Sequence, residues 1–89
     1  MDFTGQHIVV TGASSGIGLV TSRLLAERGA AVTLIARRSD KLEQAKQDIG
    51  GKTAWAAADV GDKAQLDKAL DSAVHQNGPI HGLFANAGL

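Results

Sequence analysis

Thr11-Gly12-Ala13-Ser14-Ser15-Gly16-Ile17-Gly18 is the stretch on which the fold turns. In front of it, Gln6 to Val10 contains His-Ile-Val-Val, a short apolar run that reads as a buried strand. Behind it the pattern becomes helical from Ile17 to Arg28. Ile17, Val20, Leu24 and Leu25 recur at i, i+3, i+7 and i+8, one face of a 3.6-residue period. Gly29 then follows Arg28, as expected of a C′ glycine after a basic last turn. The stretch is therefore a strand-to-helix turn with glycines spaced G-x-x-x-G-x-G. Gly12 permits the sharp exit from the strand. Gly16 lets a diphosphate approach the backbone, and Gly18 lets the helix sit tight on the strand.

Reading on, Ala31 to Ala36 (Ala-Val-Thr-Leu-Ile-Ala) is a continuous apolar run. Continuity without alternation fits a strand covered on both faces, as in a parallel sheet. Ser39 or Asp40 can cap a second helix that turns Leu42, Ala45 and Ile49 inward and ends at Gly50-Gly51. Thr53 to Ala58 is a third strand with Trp55 as its one large side chain. Asp62 with Gln65 three positions on resembles a capping box. The helix behind it carries Leu66, Ala69, Leu70, Ala73 and Val74 on one side, and Asn77-Gly78-Pro79 stops it. Ile80 to Ala85 is a fourth strand. The order βαβαβαβ, with strands alternating with helices, predicts an α/β fold with right-handed crossovers and a parallel sheet.

Composition narrows the function classes. The chain has 89 residues, with nine Lys and Arg against nine Asp and Glu. The neutral balance supplies no basic footprint for nucleic acid, and one Trp with two Phe makes no stacking platform. Apolar runs such as Ala54 to Ala58 fall far short of the ~18 residues of a membrane span. No cysteine is present, which excludes a disulfide framework and thiolate metal sites and, with no targeting signal at Met1 to Gly5, favours a cytoplasmic setting. His7, His75 and His81 lack metal-ligand spacing and read as satisfied or solvated histidines, so no metal is expected. A chain this short is one small domain or a piece of something larger.

The candidate site collects at the predicted carboxyl ends of the strands, where ligands sit in open α/β sheets. The first-turn N–H groups of the helix after the glycine loop have no intrahelical acceptor and lie at the positive end of its dipole, which makes an anion site. Ser14 and Ser15 add hydroxyls, and Gly12, Gly16, Ile17 and Gly18 complete the loop. A nicotinamide dinucleotide lacking a 2′-phosphate is usually met by a carboxylate at the end of the second strand. Here Ala36 is followed by Arg37 and Arg38, two guanidiniums suited to a 2′-phosphate, so NADP(H) is expected over NAD(H), with Arg37 the better placed. Taken alone, the pair would be a solvated loop. Asp59 could accept from the adenine amino group with Val60 over the ring, or could simply bond nearby backbone N–H groups. Asn86-Ala87-Gly88 suits a backbone running beside a nucleotide, with Asn86 bridging strand ends, or forms a common turn.

Together, the glycine stretch, Ala36-Arg37-Arg38, Asp59-Val60 and Asn86-Ala87-Gly88 resemble the short-chain dehydrogenase/reductase family, in family order along essentially the whole chain. The resemblance implies a Rossmann-type sheet of order 3-2-1-4. It also implies use of NAD(P)(H) to oxidise alcohols or reduce carbonyls, and a threonine at Thr11 that supports Asn86 across adjacent strands. It further implies that residues 1–89 are the N-terminal portion of a single nucleotide-binding domain lacking its C-terminal half. The family's catalytic serine and Tyr-x-x-x-Lys are absent, and the chain has no tyrosine, so no catalytic residue is expected and the chain alone is expected to be inactive. Where the family often has Asn-Asn-Ala-Gly, this chain has Ala85-Asn86-Ala87-Gly88. In a 3-2-1-4 order the fourth strand becomes an edge. Leu83 and Phe84 then invite self-association or pairing with the missing half. A second reading is a dinucleotide-binding module without chemistry, acting in sensing or assembly.

Overall fold

The computed structural model describes residues 2–14 and 16–86. Seven elements follow in the expected alternation: β1 (His7–Thr11), α1 (Gly16–Glu27), β2 (Ala31–Ala36), α2 (Ser39–Ile49), β3 (Thr53–Ala57), α3 (Lys63–Asn77) and β4 (Gly82–Phe84). All pairings are parallel and the sheet order is β3-β2-β1-β4. The two most apolar runs became the central strands. All five residues of β1 are buried, as are five of the six in β2.

Alternation along these strands feeds two cores. Ile8, Val10, Val32 and Leu34 pack on one face with Leu42 and Ala45 of α2, and Leu19, Leu25 and Ala26 of α1 close on them. Val9 and Ile35 point to the other face, where Ala58 and then Ala69 and Ala73 of α3 cover them. Burying Leu34, Ile35 and Leu42 completely contributes about 1.5–3 kcal/mol each.

The structure corrects the sequence reading in three places. The apolar stripe of α1 does not face the sheet: Ile17, Val20 and Leu24 are exposed, and only Leu25 of the four packs inward. The buried residues of the helix are Gly18 and Ser22. Small residues win that face because α1 passes too close to the β1 exit for large ones. A Cβ on Gly18 would overlap the Gly12 carbonyl oxygen and stand 2.9 Å from its carbon. Next, α2 has Arg38 as its N-cap with no side-chain cap, so neither Ser39 nor Asp40 plays that part. Finally, β4 is only Gly82–Phe84 rather than Ile80 to Ala85, because it pairs with β1 alone, from Ile8↔Gly82 to Val10↔Phe84.

Asp62 caps α3, but the reciprocal half of the expected capping box is not made: the Asp62 N–H donates to the Asp59 carbonyl at 3.0 Å instead of to the Gln65 side chain. Asp62 Oδ1 accepts from the N–H groups of Ala64 and Gln65 at 3.0 and 3.3 Å. At the amino ends of the strands, His7 is buried with both ring nitrogens engaged. Nδ1 donates to the Gly78 carbonyl at 2.9 Å, since a carbonyl can only accept. In the neutral ring Nε2 then accepts from the Thr33 hydroxyl at 2.7 Å. The His7 backbone N–H donates to Nδ1 of His81 at 2.9 Å. These two histidines clasp β1 to the start of β4. No helix among the described residues is long and apolar enough to cross a membrane.

Candidate functional site: the carboxyl edge of the sheet

Four strand ends bring those of the predicted residues that are described to one edge. At the end of β1 the chain turns through Gly12 (φ +65°), and Ala13, fully buried, donates its N–H to the Ile35 carbonyl at 3.3 Å. That bond pins the loop to the end of β2. α1 then begins at Gly16, whose φ of +57° is costly for any other residue. Around the position of a Gly16 Cβ none of the described residues approaches within 4 Å, so they leave the space beside this backbone open. Gly18 is the opposite case, closed against Gly12 and Ala13, and the Ser22 hydroxyl donates to its carbonyl at 2.7 Å.

Gly12, Ala13 and Gly16 thus bring the first turn of α1 to the end of β1, with space beside Gly16 that the described residues leave open. No acidic residue stands in that turn to repel an anion. Its shape and donor set fit a diphosphate. Ser14 is half-buried in the loop and Ile17 is exposed on the first turn. Ser15, Ala87 and Gly88, also expected at the site, lie outside the described residues.

At the end of β2, Arg37 and Arg38 are both exposed, and their situations differ. Arg38 is held by Asp40: Nη2 donates to Oδ2 at 2.9 Å and Nε to Oδ1 at 3.3 Å. This hydrogen-bonded guanidinium keeps the Asp40 carboxyl below the usual carboxylate range. Arg37 makes no ion pair among the described residues.

The end of β3 lies alongside, since the Ala58 N–H donates to the Ala36 carbonyl at 2.8 Å. Asp59 realises the local alternative with one oxygen, Oδ1, which accepts from the Gly61 N–H at 2.9 Å. Its Oδ2 accepts nothing from the described residues. Val60 packs against the core of Val9, Ile35 and Ala58. At the end of β4, the Asn86 backbone N–H donates to the buried Thr11 hydroxyl at 3.0 Å, which ties the ends of β1 and β4 together. The bridge uses the Asn86 main chain.

Known proteins can be set against this geometry. A family model described as short chain dehydrogenase matches residues 6–89. The chain belongs to the short-chain dehydrogenase family. It is 43% identical over 89 residues to cis-4-hydroxycyclohexanecarboxylate dehydrogenase of Sinomonas cyclohexanicum, covering 98% of this chain and 36% of that protein. It is 41% identical over 88 residues to a 3-dehydrosphinganine reductase of Arabidopsis thaliana, covering 94% and 26%. Among solved structures, a variant of actinorhodin polyketide ketoreductase with NADPH superposes with a TM-score of 0.89 at 30% identity, over 94% of this chain and 33% of that one. This short-chain dehydrogenase sequence thus spans about a third of the length of several relatives it matches.

Within the short-chain dehydrogenase frame, two features escaped the sequence reading. One is the Arg38–Asp40 pair, which separates two adjacent arginines that look equivalent in the sequence. The other is Gln65, whose Oε1 accepts from the Asp59 N–H at 2.9 Å, so the cap of α3 also holds the end of β3. Only the Asp62–Gln65 spacing hinted at the second, and the opposite charges two residues apart at the first. A separate cavity of about 440 Å³ opens at the amino ends of the strands, lined by Gln6, His7, Lys52 and Asn77 among others. It is at the far side of the sheet from the glycine loop and takes no part in this site.

Proposed function

We propose that this chain forms the adenosine- and diphosphate-holding part of an NADP(H)-dependent short-chain oxidoreductase that interconverts alcohols and carbonyls. The single observation that supports it is the juxtaposition of the open Gly12–Gly16 turn with Arg37, unpaired among the described residues, at the adjoining strand end. The first-turn amides of α1 hold the bridging phosphates, with Ser14 and Ser15 alongside. Arg37 takes the 2′-phosphate, Asp59 meets the adenine amino group through Oδ2, and Asn86, tied to Thr11, sits beside the nucleotide. When bound, the cofactor supplies hydride.

These residues bind and orient, and none of them moves a proton. Carbonyl reduction also needs a positioned proton donor, and the 89 residues include no tyrosine to serve as one. The chain alone is therefore expected not to turn cofactor over. The reading includes a cytoplasmic setting and no nucleic-acid partner, supported by the absence of cysteine and the even charge balance.

Titration calorimetry with NADPH and NADH tests it. NADPH should bind more tightly, and Arg37→Ala should erode that advantage by about 1.5–3 kcal/mol, the range for hydrogen bonds to charged groups. Equal affinity of the unaltered chain for both cofactors would remove the case for NADP(H). In the same preparation, NADPH oxidation with a carbonyl panel should stay at the buffer rate.

A further inference from the structure

Arg37 and Arg38 follow the same strand end, yet only Arg37 is free of an ion pair among the described residues. The Arg38 guanidinium turns Nε and Nη2, the two donors of one bidentate edge, onto the Asp40 carboxylate at 3.3 and 2.9 Å. That edge is the one a phosphate would use, because carboxylate and phosphate present matching pairs of acceptor oxygens. Asp40 is in the first turn of α2, and Arg38 is its N-cap, so both side chains start at the carboxyl edge of β2.

We propose that Asp40 is a specificity-determining residue: it competes with the 2′-phosphate for Arg38 and so lowers the preference for phosphorylated over unphosphorylated dinucleotide. This rests on the reading that the Arg37–Arg38 edge receives that phosphate. A phosphate of about −1.5 to −2 charge outbids a single carboxylate in direct attraction. The carboxylate, however, is tethered two residues away, and once displaced it remains nearby as a like charge. Both side chains are well exposed, at 63% and 66%, so the exchange takes place in water and its effect is modest. Because the arginine holds the Asp40 carboxyl below the usual carboxylate range, the competitor stays ionised throughout the neutral range.

The test is calorimetric titration of the chain with adenosine 2′,5′-bisphosphate and with 5′-AMP, which differ only in the 2′-phosphate. Asp40→Asn, or equally Asp40→Ser, should bind the bisphosphate about two- to fivefold more tightly and 5′-AMP unchanged. The gain should vanish in the Arg38→Gln background, an outcome that a mere change in helix stability would not produce. Three results would overturn the proposal. An unchanged bisphosphate affinity in Asp40→Asn, with Arg37→Ala still weakening it, makes Asp40 a bystander while NADP(H) binding stands. An equal gain for both ligands marks a general electrostatic effect. Failure of the unaltered chain to prefer the bisphosphate removes the NADP(H) reading and this proposal with it.

Discussion

Gly18 shows how one missing methyl group positions a site. Its α-carbon lies against the Gly12 carbonyl and Ala13, and these contacts bring the first turn of α1 up to the end of β1. Gly18→Ala has no room to accommodate its Cβ without moving backbone. A loss of about 1–3 kcal/mol is expected in urea denaturation, as for overpacked cores, with weaker cofactor binding because the anion-facing amides shift. Gly16 is different: its surroundings are open, and its positive φ is what excludes other residues. The two glycines were legible in the sequence as a pair with distinct tasks. The unequal standing of Arg37 and Arg38 was not, because the Arg38–Asp40 geometry depends on rotamers chosen after α2 has formed.

At the scale of elements, helix starts show what local pattern can and cannot disclose. The Asp62–Gln65 spacing signals a capped start, and the Asp62 carboxylate does accept two first-turn N–H groups. Asp62→Ala should therefore cost about 1 kcal/mol in thermal or urea melts. If the melt is unchanged, the cap is energetically idle. The start of α2 looked equally capped, through Ser39 or Asp40, yet Arg38 occupies the cap and the Asp40 carboxylate turns to its guanidinium. Two groups wanted the same carboxylate, and the charged donor won over a backbone N–H. In α1, hydrophobic periodicity identified a helix and an apolar side, and that side is not the one that packs on the sheet. A stripe of Ile17, Val20 and Leu24 satisfies the period as well as the buried set of Gly18 and Ser22 satisfies close approach. Periodicity reports that a helix has sides, and tertiary contact selects one of them.

For the molecule as a whole, exposed apolar groups lie on α1, α3 and the edge strand β4. β4 pairs with β1 on one side and has no partner on the other among the described residues. Leu83 is 59% and Phe84 39% exposed on that short edge strand, and Ile17, Val20 and Leu24 of α1 are exposed as well. A strand edge with apolar side chains on both faces invites pairing. The 89-residue chain is accordingly expected to self-associate or to be partly unfolded in isolation. Leu83→Lys should reduce association in sedimentation velocity. A monodisperse chain with one cooperative melt would speak against this expectation.

The sequence by itself determined the number, type and order of the elements, the parallel sheet and the place of the glycine turn. These follow from information held within a few residues of each position: apolar runs, glycine spacing, capping residues. Only the tertiary structure decided that α1 turns its smallest residues to the sheet, that β4 shrinks to three residues and that Asn86 reaches Thr11 through its main chain. Each of those outcomes is a contest between partners brought together by folding, and such a contest has no winner until the competing groups share the same space.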